Sequence, residues 1–446
     1  MKTHSQTQHR PAPAVARGFL CAWDRVVGSA PLPTVPPRRG RKPRVPLSHV
    51  LVALTYHVLQ GTGTLAEHFT QWFGPTFADS SWSDRRQRLP WEIFAAVMRR
   101  VLRPRATTRH PDAFWRGWRL LALDGTQFSV TNTAQVRAAR PKARSRRGRA
   151  AFAKMTTAVL LELGLHNPVA AAVGRAGESE WALALQTLAQ LPAHALLLGA
   201  RLYGCAAFAA QALTACQRVG SHVLFRARML IKPAIRRRFR DGSRLIRVPV
   251  RDPKHSSRIV AWLEIREIRL RVGRPGHRAQ VLRLWTSLLD PRTAPALELA
   301  QLYARRWEHE LYFREVKRHL RKTPVLQSHT VETGAQEIAA IILASAVLAH
   351  ERATAAGDAV APLRISFPKL LLATQSMWLT VAVSDGVISE RQLQTLLTRG
   401  YAFLRQCLTP PRRSRSCPRK VRQPIKRWPR LMRNESVEGP FHLEIL

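Results

Sequence analysis

Residues 118–130 read WRLLALDGTQFSV. The run Leu120-Leu121-Ala122-Leu123 is apolar without interruption and stops at Asp124-Gly125, which predicts a buried strand with an acid at its carboxyl end. Working outward, AAFAKMTTAVLLELGL (150–165) and NPVAAAVG (167–174) predict two more strands, joined by a turn at Gly164–His166. Ser179 is a good N-cap for a helix in EWALALQTLAQL, and HALLLGA (194–200) predicts a fourth strand. Strand, strand, strand, helix, strand is an α/β pattern. In such sheets working side chains sit at the carboxyl ends of strands. The fourth strand brings only Ala200 to that place.

Composition narrows the partner. The chain has 446 residues, 46 % of them hydrophobic, which predicts roughly two to four globular domains. Lys and Arg number 72 against 28 Asp and Glu, a formal net charge of +44. Such self-repulsion has no use in an enzyme of neutral metabolites, and it points to a polyanion, with nucleic acid first and a membrane surface well behind. The longest uncharged apolar run, Ile338 to Ala349, is too short to span a bilayer. MKTHSQTQHRPAP at the start lacks the apolar core of a signal peptide. The five cysteines (Cys21, Cys205, Cys216, Cys407, Cys417) form no C-x-x-C pair, which argues against a zinc ribbon or disulfide framework. A cytoplasmic, nucleoid-associated bacterial protein is expected, with no membrane and no small-molecule substrate.

Seven stretches follow. Residues 1–46 form a basic arm, partly disordered and without a core of its own. Its tract PRRGRKPR carries Arg38, Arg39, Arg41 and Lys42, suited to a DNA minor groove or to a solvated linker. Residues 47–105 predict a helical DNA-binding domain, opening at Ser48 as N-cap and continuing through TLAEHFTQWF and PWEIFAAVMRRVL. His49, His57 and His68 in it read as packing or surface residues. The α/β pattern occupies 106–217, with order and spacing of an RNase H-like sheet. Residues 218–290 are β-rich and basic, with Asp241-Gly242 as a hairpin turn, and predict an inserted β subdomain. A long helix over 291–324 returns to the α/β domain. Residues 325–408 are helical, broken at Gly357, Pro362, Pro368 and Gly386, and 409–446 form a basic tail.

That long helix contains YARRWEHELYFREVK (303–317). Treated as one continuous α-helix, it places Tyr303, Arg306, Glu310 and Lys317 within about 60° of arc, while Glu308 and Glu315 point elsewhere. A carboxylate set among an aromatic ring and two cations suits phosphate handling: Arg306 and Lys317 can grip phosphate oxygens while Glu310 holds a metal ion. The same spacing is also compatible with an exposed face laced with ion pairs.

The spacing Tyr-x2-Arg-x3-Glu-x6-Lys resembles the signature of DDE transposases of bacterial insertion sequences, in the cut-and-paste branch that carries a β insertion. LALDGT, with Asp124, is similar to the first-aspartate strand of that family, and the strand before RLYG to the second-aspartate strand. The likeness covers roughly residues 40–350. It implies an RNase H-like catalytic domain in which three carboxylates hold two Mg²⁺ ions, with Mn²⁺ as a substitute, for strand cleavage and strand transfer. It further implies double-stranded DNA partners, both terminal inverted repeats and target DNA, and a homodimer in a synaptic complex.

The chain departs from the family at one place. Where the family reads Leu-Ala-Asp-Arg, this sequence reads Leu198-Gly199-Ala200-Arg201. Asp241, Asp252 and Asp290 are the other aspartates of the region, in a hairpin turn, before a proline and shortly before the long helix. None lies at the end of the strand beside Asp124. A methyl group supplies no metal-ligand oxygen, so a catalytically dead or severely impaired DNA-binding chain is expected. An engineered change and a natural degenerate copy both remain open, as does a hairpin intermediate in cleavage.

Further DNA contacts are expected from Lys142, Arg144, Arg146, Arg147 and Arg149 between the first two strands, and from Arg236, Arg237 and Arg238 in the β region. By family likeness Trp262 or Trp285 is a candidate for stacking on a base; both also read as core residues. Two rival functions stand beside the transposase: a domesticated repressor or architectural protein without catalysis, and an RNase H-like nuclease.

Overall fold

The structure, a computed structural model, describes residues 16–28, 46–74, 78–140, 142, 144–145, 148–229, 231, 233–252, 255, 257–274, 277–321, 323–384, 386–410 and 442–445. The described residues divide into two compact units, one within Met1–Pro192 and Trp307–Leu408, the other within Ala193–Arg306 and Thr409–Leu446.

The first unit opens with five helices: α1 (Ala16–Val27), α2 (Leu47–Leu59), α3 (Leu65–Phe73), α4 (Asp79–Gln87) and α5 (Trp91–Val101). Helix α1 lies within residues 1–46 and packs on residues outside that stretch. Phe19 and Trp23, four residues apart on one helical face, are buried, and the Phe19 ring lies 5.0 Å from Tyr56 and 5.2 Å from Trp378. The Pro- and Arg-rich composition around them hid that spacing. Helix α2 starts at Leu47 behind Pro46, not behind Ser48, because proline already holds the φ (−58°) that leads into a helix. Thr64 caps α3 and Glu67 closes the capping box. Helix α4, DSSWSDRRQ, gave no periodic signal. Its one large apolar residue, Trp82, is buried with its ring 4.0 Å from Phe69.

The first α/β pattern follows. Strand β1 (Phe114–Trp115) turns into β2 (Trp118–Val130); then come α6 (Ala134–Ala139), the short hairpin β3 (Arg144–Ser145) and β4 (Gly148–Arg149), β5 (Ala153–Glu162), β6 (Asn167–Val173) and α7 (Glu180–Leu188). Strand β2 does not stop at Asp124-Gly125. It runs on because Phe128 and Val130 alternate with polar neighbours and stay buried. It pairs antiparallel with β5 in unbroken register from Leu121↔Glu162 to Val130↔Ala153, and β5 pairs antiparallel with β6. The β5–β6 turn uses left-handed backbone at Gly164 (φ 81°) and His166 (φ 53°). Ser179 caps α7 as expected, accepting from Ala182 N. A Cβ on Gly125 would overlap the Glu180 side chain, so α7 covers that face of β2.

The second unit begins with β7 (Ala195–Gly204) and α8 (Ala206–Arg218), followed by β8 (His222–Ala227), β9 (Ala234–Arg238), β10 (Arg244–Arg251), β11 (Ile259–Arg274), β12 (His277–Thr286) and α9 (Ala296–Tyr303). Strands β7 and β8 are parallel; β8 pairs antiparallel with β12, which continues through β11 and β10 to β9. The β-rich residues 218–290 are thus joined through β8 to the sheet that contains β7. Fully buried Arg266 ties it together, ion-paired to Asp241, whose carboxylate also accepts from Ala296 N (3.0 Å) at the start of α9.

Back in the first unit lie α10 (Trp307–Glu315), β13 (Val325–Leu326, parallel to β2), α11 (Val331–Ala356), α12 (Phe367–Ser384) and α13 (Glu390–Gln406). The continuous helix expected over 303–317 is in fact four pieces. Helix α9 ends at Tyr303, Ala304–Arg306 form a 3₁₀ turn, α10 runs to Glu315, and Val316–Leu320 widen into a π-turn. Helix α11 is long and apolar enough to cross a membrane by length and composition, yet 83 % of its most apolar window is buried inside the protein. It is the core helix on which α2, α5, α10 and α13 pack. Strand β14 (His442–Ile445) adds to β11 of the second unit, so the expected basic tail ends in a paired strand; residues 411–441 lie outside the described residues.

Candidate functional site

In the first unit Asp124 and Phe128 share one face of β2, since side chains alternate along a strand and this register is unbroken. Asp124 is half-buried and its Oδ1 accepts from Gly125 N at 3.0 Å. The helix carrying Glu310 runs over this same face, and two contacts fix it there. His309, fully buried, places Nε2 2.9 Å from the carbonyl of Val159, and Val159 is the cross-strand partner of Asp124. Further along, Lys317 Nζ lies 5.5 Å from the centre of the Phe128 ring. Asp124 to Phe128 is about 13 Å along the strand and His309 to Lys317 about 12 Å along the helix, so the two elements track each other.

The other carboxylates of the helix keep it in place. Glu308 Oε2 accepts from Gly164 N (2.8 Å), and Glu315 Oε2 meets His166 Nδ1 (2.7 Å). Two residues of the β5–β6 turn thus grip the helix on either side of Glu310. Glu315 Oε1 also pairs with Arg352 of α11 (3.2 Å). Burial alone would raise the Glu315 pKa, but His166 and Arg352 outweigh it and hold the carboxyl at about 2. Tyr312 OH and Ser345 Oγ, 2.9 Å apart, join the same helix to α11. Sequence reading separated Glu308 and Glu315 from Glu310 but did not foresee His309, His166 or Arg352 as their supports; the left-handed Gly164–His166 turn was the available signal.

Lys317 sits in the π-turn among cations. Burial first, then Arg321 and Lys154, push its pKa down. Such a group gains from an anion placed beside it.

In the second unit, regular pairing of β7 with β8 runs from Leu196↔His222 to Gly199↔Phe225 and then breaks until Gly204↔Ala227. Ala200 is the first residue past that ladder, half-buried, at the carboxyl end of a parallel pair. Tyr303 is buried and its hydroxyl donates to the carbonyl of Gly199 (3.2 Å), one residue before Ala200. Arg306 lies half-buried in the 3₁₀ turn. Gly204 is where the strands rejoin: a Cβ there would overlap the Arg226 carbonyl, so only glycine fits. The boundary between units falls inside the signature, with Tyr303 and Arg306 in the second unit and Glu310 and Lys317 in the first.

Asp124 and Glu310 carry the hard oxygen donors that Mg²⁺ prefers. Among the described residues no group of three His, Cys, Asp or Glu side chains could hold a metal ion, and position 200 presents a methyl group. The side chains present do not fit a three-carboxylate metal site. The other aspartates have local duties: Asp241 accepts from Ser243 N (3.1 Å), Asp252 from His255 N (3.3 Å) and Asp290 from Arg292 N (2.9 Å).

Of the expected DNA contacts, Arg38, Arg39, Arg41, Lys42, Arg146 and Arg147 lie outside the described residues. Arg144 and Arg149 pair by backbone in the β3–β4 hairpin, and Lys142 is half-buried. Arg236, Arg237 and Arg238 are exposed on strand β9. Trp285 is fully buried, with its indole nitrogen 3.4 Å from Glu267 Oε1. Trp262 is 48 % exposed with the Arg247 guanidinium 4.6 Å over its ring. Of the two tryptophans only Trp262 presents a face.

Comparison with known proteins adds three likenesses. The family described as transposase DDE domain matches residues 115–346. Transposase InsG for insertion sequence element IS4, from Escherichia coli (strain K12), is 28 % identical over 365 residues, covering 80 % of this chain and 79 % of that protein. Among solved structures, the cryo-EM structure of a piggyBac transposase synaptic complex with hairpin DNA is similar at TM-score 0.42 and 7 % identity, over 87 % of this chain and 82 % of that one.

Proposed function

The chain belongs to the transposase DDE-domain family, whose activity is DNA cleavage and strand transfer, and on that premise we propose that it binds the terminal inverted repeats of its element but is dead or severely impaired in catalysis. Asp124 and Glu310 are the proposed metal-binding carboxylates, and position 200 is the place of the missing aspartate. Tyr303, Arg306 and Lys317 are the proposed phosphate-positioning residues. The observation that carries this reading is Ala200 itself, the first residue past the β7–β8 ladder, next to the carbonyl that Tyr303 grips.

DNA enters this reading through charge and through two surfaces. The helices over 47–105 are the proposed end-binding domain. Arg236, Arg237 and Arg238 are proposed to meet phosphates, and Trp262 with Arg247 to stack on an exposed base. The family typically uses divalent metal ions; two Mg²⁺ ions, or Mn²⁺, are proposed for a site restored at position 200. A homodimer bridging two transposon ends, working in the cytoplasm, completes the proposal.

Ala200 equally favours one other reading, a domesticated DNA-binding protein that no longer cuts. Ala200→Asp separates the possibilities. A restored protein that cleaves a terminal-repeat duplex and joins the cut end to a second DNA is a transposase. Cleavage without joining marks a nuclease. Tight binding of one sequence with neither activity marks the repressor.

A further inference from the structure

Helices α12 and α13 form a hairpin whose outer side carries a row of exposed apolar residues. Leu372, Leu379 and Val383 of α12, Val387 in the connection and Phe403 of α13 are each more than half exposed, with Leu372 at 67 % and Phe403 at 57 %. Positions 372, 376, 379 and 383 on α12, and 396, 400 and 403 on α13, follow steps of three and four that set each row on one helical face. Between the rows runs a groove lined by Leu372, Ala373, Met377, Leu396, Gly400 and Phe403. A Cβ on Gly400 would stand 2.7 Å from Met377 Sδ, so the helices close tightly there and α13 leaves the floor unfilled.

The inner side of the hairpin is well anchored. Trp378 packs on Phe19, and Tyr401 OH donates to Glu351 of α11 (3.0 Å). The outward rows are therefore not a core face left open by loose packing. A contiguous exposed apolar patch of this kind marks an interaction site.

We propose that this groove docks an amphipathic helix of another protein, one that carries carboxylates beside its apolar stripe. Charge selects that occupant. The charged residues among the groove's described lining are Lys369 and Arg399, both cationic. The chain's own stretches 29–45 and 411–441 are rich in Arg and Lys, and a second copy would bring the same two cations against themselves. A concave, two-helix floor fits a third helix better than a flat lipid surface. The proposal stands independently of the chemistry at Asp124 and Glu310.

The test uses the full chain and a labelled synthetic helix of about five turns, with leucine at every third or fourth position flanked by glutamates, at physiological salt. Fluorescence anisotropy is expected to show binding. Leu372→Ser and Phe403→Ser should each weaken it at least about tenfold, without a change in melting temperature because both side chains are exposed. A scrambled peptide of equal charge should not bind. Equal binding of the scrambled peptide, or undiminished binding by the two variants, overturns the proposal. It is likewise overturned if sedimentation shows a dimer of the chain alone that Leu372→Ser dissolves, or if anionic vesicles bind through the same two residues.

Discussion

His309 Nε2 lies 2.9 Å from the carbonyl oxygen of Val159, and Val159 faces Asp124 across the β2–β5 ladder. One buried imidazole therefore sets the level at which the Glu310 helix crosses the strand of Asp124. His309→Ala leaves that carbonyl without this donor and is expected to cost about 2 kcal/mol of stability, read by urea unfolding. In a background carrying Ala200→Asp, the same change should reduce cleavage more than DNA binding. A loss confined to binding would separate His309 from the site.

Glu315 makes a pH-dependent contribution. Its folded pKa, about 2, lies below the ordinary 4.5. The stabilisation is therefore complete above the ordinary value and is lost as pH falls through about 2. Glu315→Gln strips the buried Arg352 guanidinium of its carboxylate and should cost about 3 kcal/mol near neutral pH. The gap between variant and parent should narrow in unfolding curves taken at progressively lower pH. A constant gap would contradict the pairing.

Around position 200 the backbone is held by two small details. Tyr303→Phe removes the hydrogen bond to Gly199 and should cost about 1 kcal/mol. Gly204→Ala forces β7 away from the Arg226 carbonyl and should cost more, about 1–3 kcal/mol. Thermal unfolding of both variants checks the order.

DNA affinity should fall steeply with salt. Replacing Arg236, Arg237 and Arg238 together by alanine should lower the slope of log affinity against log salt by about 0.9 for each phosphate that is no longer neutralised. Trp262→Ala should weaken binding to single-stranded or distorted ends by about 1–3 kcal/mol with no change in melting temperature. Trp285→Ala, at a fully buried residue, should destabilise the protein instead.

Much of this was legible in the sequence where a local rule acts alone. Strands β2, β5, β6 and β7 announced themselves by apolar runs, and Ser179 by its capping chemistry. Reading failed where a single anchor or a distant partner decides. Helix α4 depends on Trp82 reaching Phe69, and α1 on Phe19 reaching Tyr56 and Trp378. The helix of the signature looked continuous because its spacing fits an α-helix, yet Ala304–Arg306 tighten and Val316–Leu320 widen. Its wheel angles therefore hold only within α10. The supports His309, His166 and Arg352 act through contacts far apart in sequence, which no spacing rule exposes.

The central claim concerns one side chain, and one comparison tests it. The chain and its Ala200→Asp variant are incubated with a terminal-inverted-repeat duplex and Mg²⁺, and cut strands are counted on a denaturing gel. The expected result is equal DNA binding, near-zero cleavage by the chain and cleavage at least about a hundredfold faster by the variant. Equal cleavage by the two proteins would contradict the assignment of position 200.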